Sequence, residues 1–330
     1  MRKNYEFADY VCYLPLDTAA NAKRFLAIVR PSLVVFVKYE FWYHYLQELK
    51  NTRTPTLLIS AIFHPKQPFF QVLFGKFFQR ILFCFSTIHV QNTTSAQLLQ
   101  SIGFSQFKVT GDTRIDRVLD IPLTAKQFPI IEDFRGEAFL LVAGSTWQPD
   151  EAILATFIQQ NQNKKWKYLI APHDISHSHI YQLQQKLKVR SLRYTQAEQS
   201  SFADWEHVDV LILDTIGMLS QVYQYGKLAY IGGGFGRGIH NILEPAAFGL
   251  PVIIGPNYKK FEEANQLVDQ KGCFSINNQV QFNEIFTALA QEDIYYKANQ
   301  AITGYLANNQ GASKKAMTSI QELLSERATK

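Results

Sequence analysis

The sequence predicts an α/β protein made of two facing, doubly wound Rossmann-like lobes. Three observations carry that expectation. Short β-rich runs alternate with helix-length amphipathic runs; the β-rich runs are nearly continuous in Val, Ile, Leu and aromatic residues, as parallel strands covered on both faces must be; and one polar, proline-containing stretch divides the alternation into two series. With 330 residues, 47% hydrophobic and 18% charged, the chain can bury two cores, which excludes a disordered protein.

In the first series the expected strands are DYVCYL (9–14), SLVVFV (32–37), PTLLIS (55–60) and STIHV (86–90), with helices beginning near Thr18, Phe41, Lys66 and Thr93. From Phe69 to Val90 the chain is apolar enough to suggest a membrane span, but Gln71, Lys76, Gln79 and Arg80 interrupt it about every four residues. On a helix they form one narrow polar stripe, with Phe69, Leu73, Phe77 and Ile81 covering the rest. Two readings stay open: a helix buried on most sides, or a lipid-surface face with Lys76 and Arg80 at anionic headgroups. The stretch 120–137, DIPLTAKQFPIIEDFRGE, breaks the periodicity as a linker would. The second series then gives FLLVAG, WKYLIA, VDVLIL, KLAYI and PVIIG as strands, and helical periodicity from about Asp293 to Arg327 with a break at Gly311. The expected domains are 1–122, 123–305 and a terminal helical segment, 306–330, packing back across the lobes.

A net charge of +5 is too small to imply nucleic-acid binding, but it suits anionic small molecules or a lipid surface. Cys12, Cys84 and Cys273 form no CxxC unit and no disulfide framework, which fits a reducing compartment. The opening MRKNYEFADY has neither the apolar core nor the cleavage site of a signal peptide, so a cytoplasmic location is expected.

In doubly wound lobes, ligands bind outside the carboxyl ends of the strands. After FLLVAG come Ser145 and Thr146, then Trp147, Pro149, Asp150 and Glu151, which read equally as a helix cap or a ligand loop. After WKYLIA comes His173 with Asp174, His177 and His179; the spacing matches no usual zinc signature, and one imidazole or carboxylate facing the crevice fits better. After VDVLIL, Asp214 and Thr215 are candidates for a cap or a ligand contact.

The strongest signal is IGGGFGRGIHNILEPAAFGLPVIIGP, from Ile231 onward. Glycines crowd the end of a strand where backbone must approach something closely, and a helix is expected with Asn241 at its cap and Glu244 three residues on. Open N–H groups there would suit a phosphate. The GxGxxG spacing fails, since Gly232 and Gly234 are followed by Arg237, and no GxxxxGK is present; neither a dinucleotide nor a P-loop fingerprint exists.

The block GGGFGRGIHNILEPAAFGLPVIIGPNYKKFEEA resembles the nucleotide-binding signature of the bacterial 3-deoxy-D-manno-octulosonic acid (Kdo) transferases, GG…GGHN-LEPA…G-PV-FGP. Further matches follow in family order: YLPLD with RP and then YEFW; VQNTTSAQLLQSIGF followed by VTGDTRID; AGSTWQPDE; and DTIGML. Together they span nearly the whole chain. The resemblance implies a GT-B fold and the inverting, metal-free transfer of Kdo from CMP-Kdo to a lipid A precursor in lipopolysaccharide synthesis. It implies no cofactor, and a peripheral place on the cytoplasmic face of the bacterial inner membrane.

Carried onto this sequence, the resemblance implies donor contacts from Ser145, Thr146, His173, Asp214, Thr215, Gly233, Gly234, Gly238, Asn241 and Glu244. Arg114, where the family usually has Lys, would meet the phosphate or the Kdo carboxylate. Lys38 and Glu40, in KYEFW, would serve the acceptor. The sequence departs from the pattern at Trp147 (His in GSTH), at Met218 (Glu in DT-GEL) and at APHDISHS, which lacks an arginine of PRH-ER. The family's first βαβ unit, whose Ser-Val-Gly-Glu motif supplies the general-base glutamate, has no counterpart here, so an N-terminal lobe lacking its first strand-helix unit is expected, and the catalytic residue is left unassigned. Two alternatives remain: a GT-B transferase using a UDP-sugar, and a non-catalytic nucleotide-binding protein at a membrane.

Overall fold

The computed structural model describes residues 5, 7–71, 75–161, 163–201 and 207–328. Its contacts divide the chain into two units, Met1–Asp116 with Asn309–Lys330, and Arg117–Asn308.

The first unit begins with helix α1 (Ala19–Val29), where the Thr18 hydroxyl accepts from the amide of Asn21 and closes the first turn. Four parallel strands follow, β1 (Val34–Val37), β2 (Thr56–Ala61), β3 (Thr87–Val90) and β4 (Phe107–Val109), side by side in chain order. Strands laid down in sequence with crossovers of one hand put the connecting helices α2 (Tyr43–Asn51), α3 (Gly75–Leu82) and α4 (Thr93–Ser101) on one face. Period-two alternation then sorts the side chains. Leu58, Ile88 and Val90 pack with Leu46, Ile81, Leu82, Ala96 and Leu99, while His89 points to the opposite face. There the C-terminal helix (Ala312–Ala328) covers the sheet, with Ser319 Oγ 3.1 Å from His89 Nε2. The break read at Gly311 is the start of that helix, and Asp116 accepts from the amides of Gly311 and Ser313.

Three expectations change in this unit. DYVCYL carries no strand: the sheet ends at β1, and Tyr10 and Tyr13 are about 80% exposed (83% and 78%). Extended propensity is realised by pairing, and no neighbour pairs here. The helix expected from Lys66 is a short 3-10 turn (Pro68–Phe70) followed by α3, and Leu73 lies outside the described residues. The apolar stretch mostly builds core: Phe69, Ile81, Leu82, Cys84 and Phe85 are buried, whereas Lys76, Phe77 and Arg80 are exposed. No helix among the described residues is long and apolar enough to cross a membrane.

After a helix at Thr113–Leu119, the stretch read as a linker is helical in two places, Ile121–Thr124 and Pro129–Arg135. Proline stands in the first turn of the last two, where its missing N–H costs nothing and its fixed φ suits a helix start.

The second unit holds seven strands: β5 (Phe139–Thr146), β6 (Trp166–Pro172), β7 (Ser191–Arg193), β8 (Val210–Ile212), β9 (Leu228–Ile231), β10 (Val252–Ile254) and β11 (Cys273–Ser275). All pairs are parallel, in the order β11-β10-β9-β5-β6-β8-β7. From β5 the chain passes to β6, then to the edge strand β7 and back to β8, which lies between β6 and β7; it then returns to lay β9 on the other side of β5 and winds outward through β10 to β11. The sheet therefore reverses between β5 and β9, and the loops leaving those strands diverge to leave a crevice.

Candidate functional site

The reversal point is where the glycine loop lies, and the structure shows what its glycines approach. A Cβ at Gly232 would stand 2.4 Å from the carbonyl oxygen of Ser145, at the end of β5; one at Gly234 would stand 2.7 Å from the Cα and N of Gly255, at the end of β10. Real carbon atoms do not come so close, so glycine is required for the loop to nest between its two neighbouring strand ends. Gly233 and Gly234 are buried accordingly. The amides of Gly236 and Gly238 both bond the carbonyl of Gly233, and that of His240 bonds Gly232, so the loop closes on itself.

Asp150 ties this loop to β5. The residue is 1% exposed, and its carboxylate accepts from the amide of Trp147 (2.9 Å), the amide of Gly233 (2.9 Å) and the hydroxyl of Tyr230 (2.7 Å). The first bond closes the initial turn of the helix Gln148–Gln160, so Trp147, rather than Ser145, is its N-cap. Burial and the Asp150 charge push the Tyr230 phenol well above its ordinary pKa, and it stays a donor.

Around the closed loop is a cleft of about 680 Å³ lined by Trp147, Pro149, Asp150, Gly233, Gly236, Arg237, Gly238 and His240. Trp147 and His173 stack with centroids 4.4 Å apart, His173 and His240 at 4.7 Å, and the indole N–H donates to His240 Nε2 at 3.0 Å. Burial first, then His173, hold His240 below the ordinary histidine range, with Asp150 opposing them. Arg237 is an exposed cation at the cleft, and Asp150 is saturated with donors. The walls therefore combine aromatic surface with one positive charge, which favours a planar or sugar-bearing anion.

The remaining candidates take other places. Ser145 sits at an irregularity in β5 with φ 54°, and Thr146 is fully buried with its hydroxyl turned to Glu151 Oε1, an oxygen shared with His179 Nε2 at 2.8 Å. Asp214 accepts from the amide and hydroxyl of Thr195, and the Thr215 hydroxyl bonds the Met218 sulfur. The helix after the glycine loop is short, Leu243–Ala247, with Ile242 at its N-cap instead of Asn241. Asn241 does bond the amide of Leu243 and donates to Glu244 Oε1, whose carboxyl burial raises above its ordinary range while Asn241 and Arg117 partly offset it. Gly234, Asn241, Glu244, Asp214 and Thr215 are not among the cleft-lining residues, whereas Gly233 and Gly238 are. Sequence reading did not select Trp147, Asp150, Arg237 or His240 as site residues. Their signals were present: an aromatic in a cap position, an acid three residues on, and two residues inside the quoted glycine block.

In the first unit, Lys38 and Arg114 converge on Asp112, at 3.3 and 2.7 Å. Burial raises the Asp112 pKa, but the Arg114 hydrogen bond and charge, with Lys38, outweigh it and bring it down. Lys38 (φ 62°) and Ser60 (φ 54°) are left-handed without being glycine, and the Ser60 hydroxyl lies 2.9 Å from that of Thr113. Glu40 is exposed and accepts from the Trp42 indole. Among the described residues, no group of three or more His, Cys, Asp or Glu side chains is placed to hold a metal ion.

Comparison with known proteins agrees with this geometry. The family described as 3-deoxy-D-manno-octulosonic-acid transferase (kdotransferase) matches residues 1–117. The 3-deoxy-D-manno-octulosonic acid transferase of Aquifex aeolicus is 26% identical over 295 residues, covering 88% of this chain and 74% of that protein. That of Chlamydia pneumoniae is 28% identical over 268 residues, covering 78% and 59%, and that of Haemophilus influenzae 24% over 276 residues, covering 81% and 63%. The chain thus spans about three-fifths to three-quarters of the length of these relatives. Among solved structures, the UDP-GlcNAc 2-epimerase of Neisseria meningitidis bound to UDP-GlcNAc superimposes with a TM-score of 0.63 at 14% identity, covering 93% of this chain and 80% of that one, which shows a shared GT-B fold. Motifs along the chain, a sheet that reverses at the glycine loop, and relatives matched over most of the sequence point the same way: the chain is similar to the 3-deoxy-D-manno-octulosonic acid (Kdo) transferases, through the family model at residues 1–117 and through these relatives over most of its length.

Proposed function

We propose that this chain is a glycosyltransferase that binds CMP-Kdo in the cleft at the β5/β9 reversal and takes part in inverting, metal-independent transfer of Kdo to a lipid A precursor. The observation that carries this reading is the cleft itself, where a loop closed by Asp150 presents Arg237, Gly233, Gly238 and the rings of Trp147 and His240 to one space. In the transfer, an acceptor hydroxyl gives its proton to a general base as its oxygen bonds the anomeric carbon, the bond from that carbon to the phosphate oxygen breaks, and its electron pair leaves with CMP. Charge therefore grows on the phosphate, and a cation beside an aromatic wall stabilises it. Arg237 is the cation so placed. In the first unit, Arg114 is the candidate contact for the phosphate or the Kdo carboxylate, and Lys38 and Glu40 are the candidates for the acceptor; Lys38 and Arg114 both pair with Asp112. Peripheral contact with an acidic bilayer, as on the inner membrane's cytoplasmic face, would use exposed Lys76, Phe77 and Arg80.

The test is incubation of the chain with CMP-Kdo and tetraacylated lipid A precursor, with mass spectrometry for a Kdo adduct. An adduct supports transfer; CMP binding without an adduct reduces the role to holding the donor. Thermal stabilisation by CMP against UDP separates this reading from a UDP-sugar enzyme, since the better native-state ligand raises the Tm more. Flotation with liposomes containing or lacking acidic lipid tests the membrane contact.

A further inference from the structure

Trp147, His173 and His240 come from three separate loops, and their arrangement is more specific than a pile of rings. All three planes lie within 17–27° of one another. A straight pile with His173 in the middle would separate the outer rings by the sum of the two shorter spacings, 4.4 and 4.7 Å, yet Trp147 and His240 are only 6.5 Å apart. Those two rings therefore lie side by side, joined edge to edge by the 3.0 Å bond from indole Nε1–H to imidazole Nε2, and His173 stacks across both. The loop backbone braces the same edge: a Cβ at Gly233 would sit 3.0 Å from His240 Cδ2 and 3.4 Å from its Nε2.

An indole N–H donates and never accepts, so the bond exists only while His240 Nε2 presents a lone pair. A neutral imidazole then carries its single proton on Nδ1. Protonating Nε2 would set two donors head to head in a half-buried stack. We propose that Trp147 is a positioning residue for His240, holding its imidazole neutral and protonated on Nδ1, so that an anion in the cleft meets His240 as an uncharged N–H donor. The tautomer stands on geometry alone; its consequence for the anion rests on the proposed donor site. The other groups facing His240 are His173 from the end of β6, Asp150 from the helix after Trp147, and Arg237 from the glycine loop. Burial and His173 act in the same direction as the indole, and Asp150 against it. With Trp147 in place, His240 itself adds no charge to the cleft as pH crosses the ordinary histidine range, and Arg237 is the cation an anion meets.

Long-range ¹H–¹⁵N spectra of the uniformly labelled full chain distinguish bare from protonated imidazole nitrogens, with His240 assigned by its loss in His240→Gln. The expected wild-type signal shows His240 bare at Nε2 and protonated at Nδ1 at neutral pH, with a midpoint below that of a free histidine. In Trp147→Phe the Nε2-protonated form appears and the midpoint moves up. A wild-type His240 protonated on Nε2 overturns the proposal by itself, even if the variant fails to fold; so does a Trp147→Phe spectrum with unchanged tautomer and midpoint. Failure of CMP to bind would overturn the donor-site reading and leave the tautomer result standing.

Discussion

The carboxylate of Asp150 accepts a 2.9 Å hydrogen bond from the backbone amide of Gly233, joining the helix start after β5 to the loop after β9 across the point where the sheet reverses. Because the same carboxylate also holds Trp147 N and Tyr230 OH, removing it strands three donors where water has little access. Asp150→Ala is expected to destabilise the second unit by about 3 kcal/mol or more, at roughly 1–3 kcal/mol per unsatisfied buried group. It should also abolish CMP binding, because the cleft loses its wall. Thermal unfolding together with a CMP titration checks both, and a variant as stable as wild type would mean that these three bonds do not brace the cleft.

Gly234 and Gly255 are in mutual backbone contact, and neither side can yield as a flexible side chain would. Gly234→Ala should cost about 1–3 kcal/mol by overpacking. Gly255→Ala should cost a similar amount, and the double variant less than the sum, since one displacement relieves both. Urea unfolding of the three variants measures this; simple additivity would mean the two positions do not share a clash.

Arg237 is the exposed cation of the cleft. Arg237→Ala is expected to weaken CMP about tenfold, or ~1.4 kcal/mol, and Arg237→Lys to recover part of the loss, because it keeps the charge without the bidentate fork. Calorimetric titration gives the comparison. An unchanged Kd would place the phosphate elsewhere.

His89 gives the first unit a pH dependence. Burial, then Lys108, push its pKa down from 6.5 to about 4, with Glu322 opposing, and its Nδ1 has no hydrogen-bond partner among the described residues. Below about pH 6.5 the unfolded chain takes up a proton that the folded chain refuses until about pH 4. The stability contribution is thus complete above the upper value and lost as pH falls through that window, by up to about 1.4 kcal/mol per unit and on the order of 3 kcal/mol in all. His89→Leu should remove that part of the slope. If urea midpoints of wild type and variant run parallel from pH 7.5 to 4, His89 is not the cause.

Much of this was legible in the chain itself, and the failures have physical causes. The strands FLLVAG, WKYLIA, KLAYI and PVIIG were visible because strands covered on both faces need unbroken apolar runs. β4 (FKV), β7 (SLR) and β11 (CFS) were missed because each is only three residues long and includes a polar residue, whereas the equally short β8 and β10 lie within the apolar runs VDVLIL and PVIIG. DYVCYL had the composition of a strand but found no neighbour, and the 120–137 stretch looked like a linker because its prolines, which open helices, also punctuate loops.

What the sequence determined by itself was the α/β alternation, the place of the glycine loop at a strand end and the family to which the motifs point, because covalent order fixes periodicity and motif spacing. Only the tertiary structure decided what the glycines approach and which side chains share the cleft. Gly232 meets Ser145, Asp150 holds Gly233 and Trp147 bonds His240 because β9 is laid beside β5, and that neighbour relation comes from sheet pairing, which distance along the chain does not encode.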